Sequence, residues 1–184
     1  MKQTLFALLA LLVATLLSFN QKQATVRNQV QVVRGEMEQM ALGVAAEAMG
    51  AIRTQDFDSN LNGTDDVSTE DLTPESEFPT GNRCEAFFSS PSTECDAIEE
   101  FHQMGPATVS FKFPDPDDFP DSSDRFEFEI KSVEVEYVDG NFSNETSGET
   151  FHKRVTLEIQ DIPSDGGDPR LTSPIEYSEV VSYP

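Results

Sequence analysis

The sequence predicts an α+β chain: one long N-terminal α-helix, about residues 3–54, packed on a C-terminal antiparallel β-sheet of about four strands. Three observations predict it. An uncharged apolar run, Gln3 to Gln21, passes without a break into helically spaced apolar residues that continue to Ile52. The first proline is Pro74, so nothing interrupts that helix. From Val109 onward the spacing of apolar residues changes from helical to alternating, the period of half-buried strands.

The helix is read first. Val26, Val30, Val33, Met37, Met40, Val44, Ala48 and Ile52 recur at steps of three and four, marking one face. Arg27, Gln31, Arg34, Glu38 and Glu47 occupy the other. Joined to the apolar run, this gives a helix about 75 Å long at about 1.5 Å per residue. A domain formed by the rest of the chain is too small to cover it. Its first half therefore needs lipid, or other copies of the same helix, to bury against. The apolar heart, Thr4 to Phe19, is slightly shorter than the roughly 20 residues of a full membrane span. A cleaved signal peptide fits the positive start but not the sequel, since Asn20-Gln21-Lys22-Gln23 offers no small-x-small site. Gly35, Gly43 and Gly50 lie on the helix at steps of eight and seven, where small residues permit close helix approach.

The segment Asp58-Ser59-Asn60-Leu61-Asn62-Gly63-Thr64-Asp65-Asp66 fits the calcium-loop pattern D-x-[DN]-x-[DN]-G. Calcium takes about six to eight oxygens. Asp58, Asn60 and Asn62 would supply side chains, Thr64 a backbone carbonyl and Asp66 a direct or water-mediated contact. The closing glutamate stands one place late, at Glu70 after Thr69. The alternative is an acidic turn that holds no metal, since Asp, Asn and Gly favour turns in any case. Residues 67–106 read as an irregular excursion with prolines 74, 79, 91 and 106, and Ala97 to Met104 as a short helical turn. Cys84 and Cys95 read as a disulfide closing a small loop of an exported chain. A second acidic run, Asp115 to Asp124, lacks fixed spacing and reads as a solvated loop.

Four alternating runs follow. They are Val109, Phe111 and Phe113; Phe126, Phe128, Ile130, Val133, Val135 and Tyr137; Val155, Leu157 and Ile159; and Ile175, Tyr177, Val180 and Val181. Turn signals at Asp139-Gly140-Asn141 and Ser164 to Asp168 separate strands. The apolar face of this meander is expected to pack on the stripe of residues 26–52. Glu127, Glu129, Glu134, Glu136 and Glu158 would form a negative outer face. The resulting domain scheme is 1–25 hydrophobic helix half, 26–55 amphipathic half on the sheet, 56–106 irregular region and 107–184 sheet.

Charge and motifs exclude several functions. With 34 acidic against 12 basic side chains the net charge is −22, which repels phosphate backbones and argues against nucleic-acid binding. His102 and His152 are isolated, and no metal-protease, nucleophile-elbow or phosphate-loop pattern occurs, so no enzyme is expected. Asn62-Gly63-Thr64, Asn141-Phe142-Ser143 and Asn144-Glu145-Thr146 match the weak N-glycosylation pattern and are not expected to be modified.

An apolar start, an amphipathic helix ending Ala45-Ala46-Glu47-Ala48-Met49-Gly50-Ala51-Ile52-Arg53, then Asp56-Phe57-Asp58, a loop and an antiparallel sheet together resemble a type IV pilin, chiefly over residues 1–58. The resemblance implies a filament subunit. Leu5, Phe6, Leu8, Leu9, Leu11, Leu12, Val13, Leu16, Leu17 and Phe19 would sit in the inner membrane before assembly and in the filament core afterwards. It also implies a helical homo-oligomer, a pilus assembly machinery as partner, and a place on the cell surface. Two features depart from the family. Leu5 stands where pilins carry a glutamate, and no basic leader precedes the apolar run, which implies either a processed chain beginning at Met1 or a divergent branch. Two other readings fit the same architecture: a signal-anchored cell-surface binding module, and a minor pilin or pseudopilin of a secretion system.

Overall fold

A computed structural model describes residues 2–61, 67–81, 83–88, 95–111, 126–146, 148–163 and 167–184; the side chains of residues 2–10, 110, 111 and 126 are outside that description. Helix α1 runs from Lys2 to Ile52. Its last carbonyls are taken up locally: the Arg53 N–H donates to Met49, the Gln55 N–H to Ile52, and the Thr54 hydroxyl to Ala51. After an irregular segment come β1 (Ala107–Phe111), β2 (Phe126–Tyr137), β3 (His152–Ile162) and β4 (Ile175–Ser182). They form one antiparallel sheet in the order β1-β2-β3-β4. This is the α+β arrangement that the change of hydrophobic period predicts.

The chain divides into two compact units, residues 1–37 and 38–184. The second holds the core. Its helical contribution is Ala41, Val44, Ala45, Ala48, Met49 and Ile52, all buried. The sheet contributes Phe128, Ile130, Val133, Val135 and Tyr137 from β2 and Val155, Leu157 and Ile159 from β3. Along β3, buried and half-buried residues alternate strictly. The expectation that the whole stripe from residue 26 is buried needs a boundary correction. Val26, Val30 and Val33 are exposed, and burial begins only at Met37. The rest of the stripe keeps its amphipathic spacing with its side chains exposed.

The segment between helix and sheet is tied down at several points. Asp56 pairs with Ala97, with the Asp56 N–H donating to Asp96 and the Ile98 N–H to Asp56. The disulfide Cys84–Cys95 is present, and both cysteines are buried. A short 3-10 helix, Ile98–Phe101, occupies the place of the expected helical turn. Past it, Met104 bridges Val133 beside the irregularity in β2 between Ile130 and Ser132. On the solvated face, Arg154 pairs with Glu136 at 3.0 Å and Lys131 with Glu158 at 3.8 Å, so the expected negative face is partly neutralised by its own strand neighbours.

Gly105 shows how close this approach is. A Cβ built there would lie 2.1 Å from the Lys131 carbonyl oxygen, a backbone atom that cannot swing away. Gly105→Ala is expected to destabilise the domain by about 1–3 kcal/mol or more through overpacking, read as a lower urea midpoint. Reducing the disulfide is expected to cost roughly 3 kcal/mol by releasing a short closed loop, measured by the same titration with and without reductant.

Candidate functional site

Two features stand out from the fold: the apolar surface of the first helical unit, and a charged cluster buried in the second. In the first unit Leu11, Leu12, Val13, Leu16, Leu17, Phe19, Val26, Val30, Val32 and Val33 are all exposed; Leu11 keeps 66% of its surface and Phe19 61%. Leu5, Phe6, Leu8 and Leu9 belong to the same helix, but their side chains fall outside the described residues. Single exposed apolar residues are ordinary on a protein surface, whereas a series of this length is not. Among the residues searched, no helix is long and apolar enough to cross a membrane. Gly43 and Gly50 are exposed, and a Cβ added at either meets nothing within 4 Å.

The buried cluster centres on Lys153. Alternation along β3 turns Lys153 to the same face as Val155, Leu157 and Ile159, and it is fully buried. An ammonium group there must find an acceptor for each of its three N–H bonds. It finds them in the Phe57 carbonyl at 2.8 Å, Asp58 Oδ2 at 2.8 Å and Glu99 Oε2 at 2.9 Å. The rings of Phe57, Phe78 and Tyr137 lie around the nitrogen, with centroids 4.7, 5.4 and 5.3 Å away. Both carboxylates are as buried as the lysine.

Asp58 is held from every side. Its Oδ1 accepts from the Asn60 N–H at 3.1 Å and from the Thr73 hydroxyl at 2.7 Å, and the Thr73 N–H lies 3.2 and 3.1 Å from its two oxygens. The Tyr137 hydroxyl is within reach of both Asp58 Oδ2, at 3.1 Å, and the Thr73 carbonyl, at 2.9 Å, and has one proton to donate between them. Glu99 Oε1 accepts from the Ser59 N–H at 2.6 Å. Burial works to raise the Asp58 carboxyl; the hydrogen bond and charge of Lys153, then Thr73 and Asn60, outweigh it and hold the group below its ordinary value. The Tyr137 hydroxyl is pushed far up by burial and by the charge of Asp58.

The expected calcium loop is thus divided. Asn62, Thr64 and Asp66 lie outside the described residues. Asp58 does meet a cation, but that cation is the Lys153 ammonium, and the acceptor capacity of its carboxylate is filled by protein donors. Glu70 lies in the 3-10 helix Thr69–Asp71. Among the described residues no group of three or more His, Cys, Asp or Glu side chains converges to hold a metal. Sequence reasoning missed Lys153 and Glu99. The signal for Lys153 was present: it stands two residues before Val155, in register with the apolar face. Glu99 carried no such sign, because the short helix that carries it has no sequence period.

No protein-family model, no curated protein and no solved structure matches the chain.

Lys153→Met removes the cation that pairs with both buried carboxylates and is expected to cost about 3–5 kcal/mol, measured as unfolding free energy in urea. While the pair remains ionic, stability also depends on acid. The folded Asp58 carboxyl lies below its ordinary value of 3.8. Its contribution is therefore complete above that value and is lost as pH falls through the lower folded value. Urea midpoints between neutral pH and roughly pH 2 should fall across that window, and less so in Asp58→Asn.

Proposed function

We propose that this chain is a structural subunit of a type IV pilus-like filament, assembled by packing of N-terminal helices. One observation carries the reading. Helix α1 has two parts with opposite surfaces: from Ala41 to Ile52 it builds the core of the domain, whereas from Leu11 to Val33 it leaves a long apolar series exposed. Burying that series against copies of itself would return roughly 25 cal/mol for each Å² of apolar surface removed from water. The same surface would lie in the inner membrane before a pilus assembly machinery extracts the subunit. The acidic domain would face outward and keep the fibre soluble on the cell surface. An open, head-to-tail helical polymer is the form such a heterologous contact takes when the rotation does not close.

Electron microscopy of material sheared from cells, with mass spectrometry of its N-terminus, tests this. Thin fibres that contain the chain with residues 1–20 retained are the expected result. A detergent-soluble monomer, or a mature chain that begins after Phe19, would instead favour an anchored or secreted binding domain.

Two substitutions sharpen the test. Leu16→Glu should abolish fibres while leaving the urea transition of the folded domain unchanged, since Leu16 is 56% exposed and contributes nothing to that core. Gly43→Ala and Gly50→Ala should each stabilise the domain by up to about 1 kcal/mol, because alanine favours helix and has open space at both positions.

A further inference from the structure

Lys153, Asp58 and Glu99 do more than balance charge. An amine, a carboxyl group and a second carboxyl group converge within 2.8 and 2.9 Å in a fully buried site ringed by aromatic side chains. We propose that this is a modification site, at which Lys153 Nζ condenses with the Asp58 carboxyl to form an intramolecular amide, with Glu99 as the proton-transfer residue.

The two carboxylates have different surroundings, and these assign the roles. Asp58 Oδ1 is held by the Thr73 hydroxyl and the Asn60 N–H, and shares the Thr73 N–H with Oδ2. That set of donors suits an oxygen that gains negative charge as its carbonyl is attacked. Asp58 Oδ2 faces the lysine and the Tyr137 hydroxyl, the position of a departing oxygen. Among the described residues, Glu99 accepts hydrogen bonds from the Ser59 N–H and from Lys153 itself. It touches the nucleophile and can take a proton from it.

The step balances without any other reagent. The ammonium passes one proton to Asp58 Oδ2, which leaves a neutral amine and a neutral acid. The amine lone pair attacks Cγ, forming the N–C bond, and charge collects on Oδ1. Glu99 takes a proton from the nitrogen and returns it to the departing hydroxyl. The Cγ–Oδ2 bond breaks, the carbonyl re-forms at Oδ1 and one water leaves; Glu99 ends as the carboxylate it began. In solution an amine and a carboxylate remain an ion pair. Well-oriented intramolecular reactions reach effective concentrations of about 10⁵–10⁸ M. Burial opposes the charged pair, but the donors around Asp58 outweigh it, so the reactive neutral pair is the minor form. The amide replaces the ion pair, so the acid-labile contribution of Asp58 belongs to uncondensed molecules alone.

The test is mass spectrometry of the full chain, purified in detergent, folded, then reduced. The expected mass is lower than that of the same chain with Lys153→Arg by one water beyond the side-chain difference. Trypsin should release residues 54–83 and 132–154 as one branched peptide joined through Asp58 and Lys153, with no cleavage after Lys153. Glu99→Gln, shown to be folded by an unchanged near-ultraviolet spectrum, should condense about 100-fold more slowly or remain at full mass. A folded wild-type chain at full mass, giving the two peptides separately, overturns the proposal. So does a water loss confined to one linear peptide, as ring closure at an Asp-Gly pair would produce. Undiminished condensation in folded Glu99→Gln overturns the role of Glu99.

Discussion

Burying a lysine ammonium in the apolar face of a sheet leaves a fold few options. The charge must be matched, all three N–H bonds must be accepted, and the groups that do this must themselves be desolvated. Lys153 meets these demands with groups from two distant stretches of chain: Phe57 and Asp58 from the loop after α1, and Glu99 from the short helix that follows the disulfide. The surrounding features position those acceptors. The Asp56–Ala97 pairing brings the two stretches side by side. The Cys84–Cys95 bond fixes the entry to the second. Thr73 and Tyr137 orient the Asp58 carboxylate from a third stretch and from β2. A segment with almost no regular secondary structure is thereby organised about one nitrogen atom, by directional bonds where a hydrophobic period would otherwise do the work.

The rest of the molecule divides its apolar surface in an unusual way. The domain consumes the last turns of α1 and one face of the sheet. The amphipathic pattern does not end with it. Valines continue at the same spacing to Val26, and leucines beyond. A surface with net charge −22 resists indiscriminate aggregation; in the proposed filament, association would be left to that apolar series.

Much of the fold could be read from the sequence because it rests on period. Alternation from Val109 to Val181 located all four strands, and the absence of proline before Pro74 located one unbroken helix. What periodicity could not give was the point at which burial begins, since Val26 and Val44 follow the same pattern and yet one is exposed and the other buried. The buried cluster was half legible. The Asp/Asn/Gly setting singles out Asp58 as a candidate calcium ligand, whereas the group that it meets among the described residues is the Lys153 ammonium. Choosing between these required knowing that β3 turns Lys153 inward, a long-range fact that no local window contains. Glu99 was hidden for a related reason: it is one acid among many, set apart only by its burial.

The cluster and the helix bear on one another through mechanics. In a filament of the proposed kind, the apolar half of α1 is held by neighbouring subunits while the domain meets the surroundings, so a pull on the domain passes into its own end of the helix. The chain leaves that helix at Ile52 and reaches Asp58 within six residues. Asp58 is bound to Lys153, in a strand paired on both sides, with β2 and β4. Arg53 adds a second tie between the helix end and the sheet, through Glu179 on β4. Force that peels the helix must first strip the buried residues Ala41 to Ile52 from the core; further extension then loads the Arg53–Glu179 pair and, past it, the Asp58–Lys153 junction. As an ion pair, that junction resists by Coulomb attraction and hydrogen bonds in a dry site, and it can reopen once water enters. As an amide, it converts the loop after the helix into a covalent branch from the middle of the sheet. The position of the cluster, directly after the one element that belongs to both assembly and domain, is where such a junction would limit deformation most.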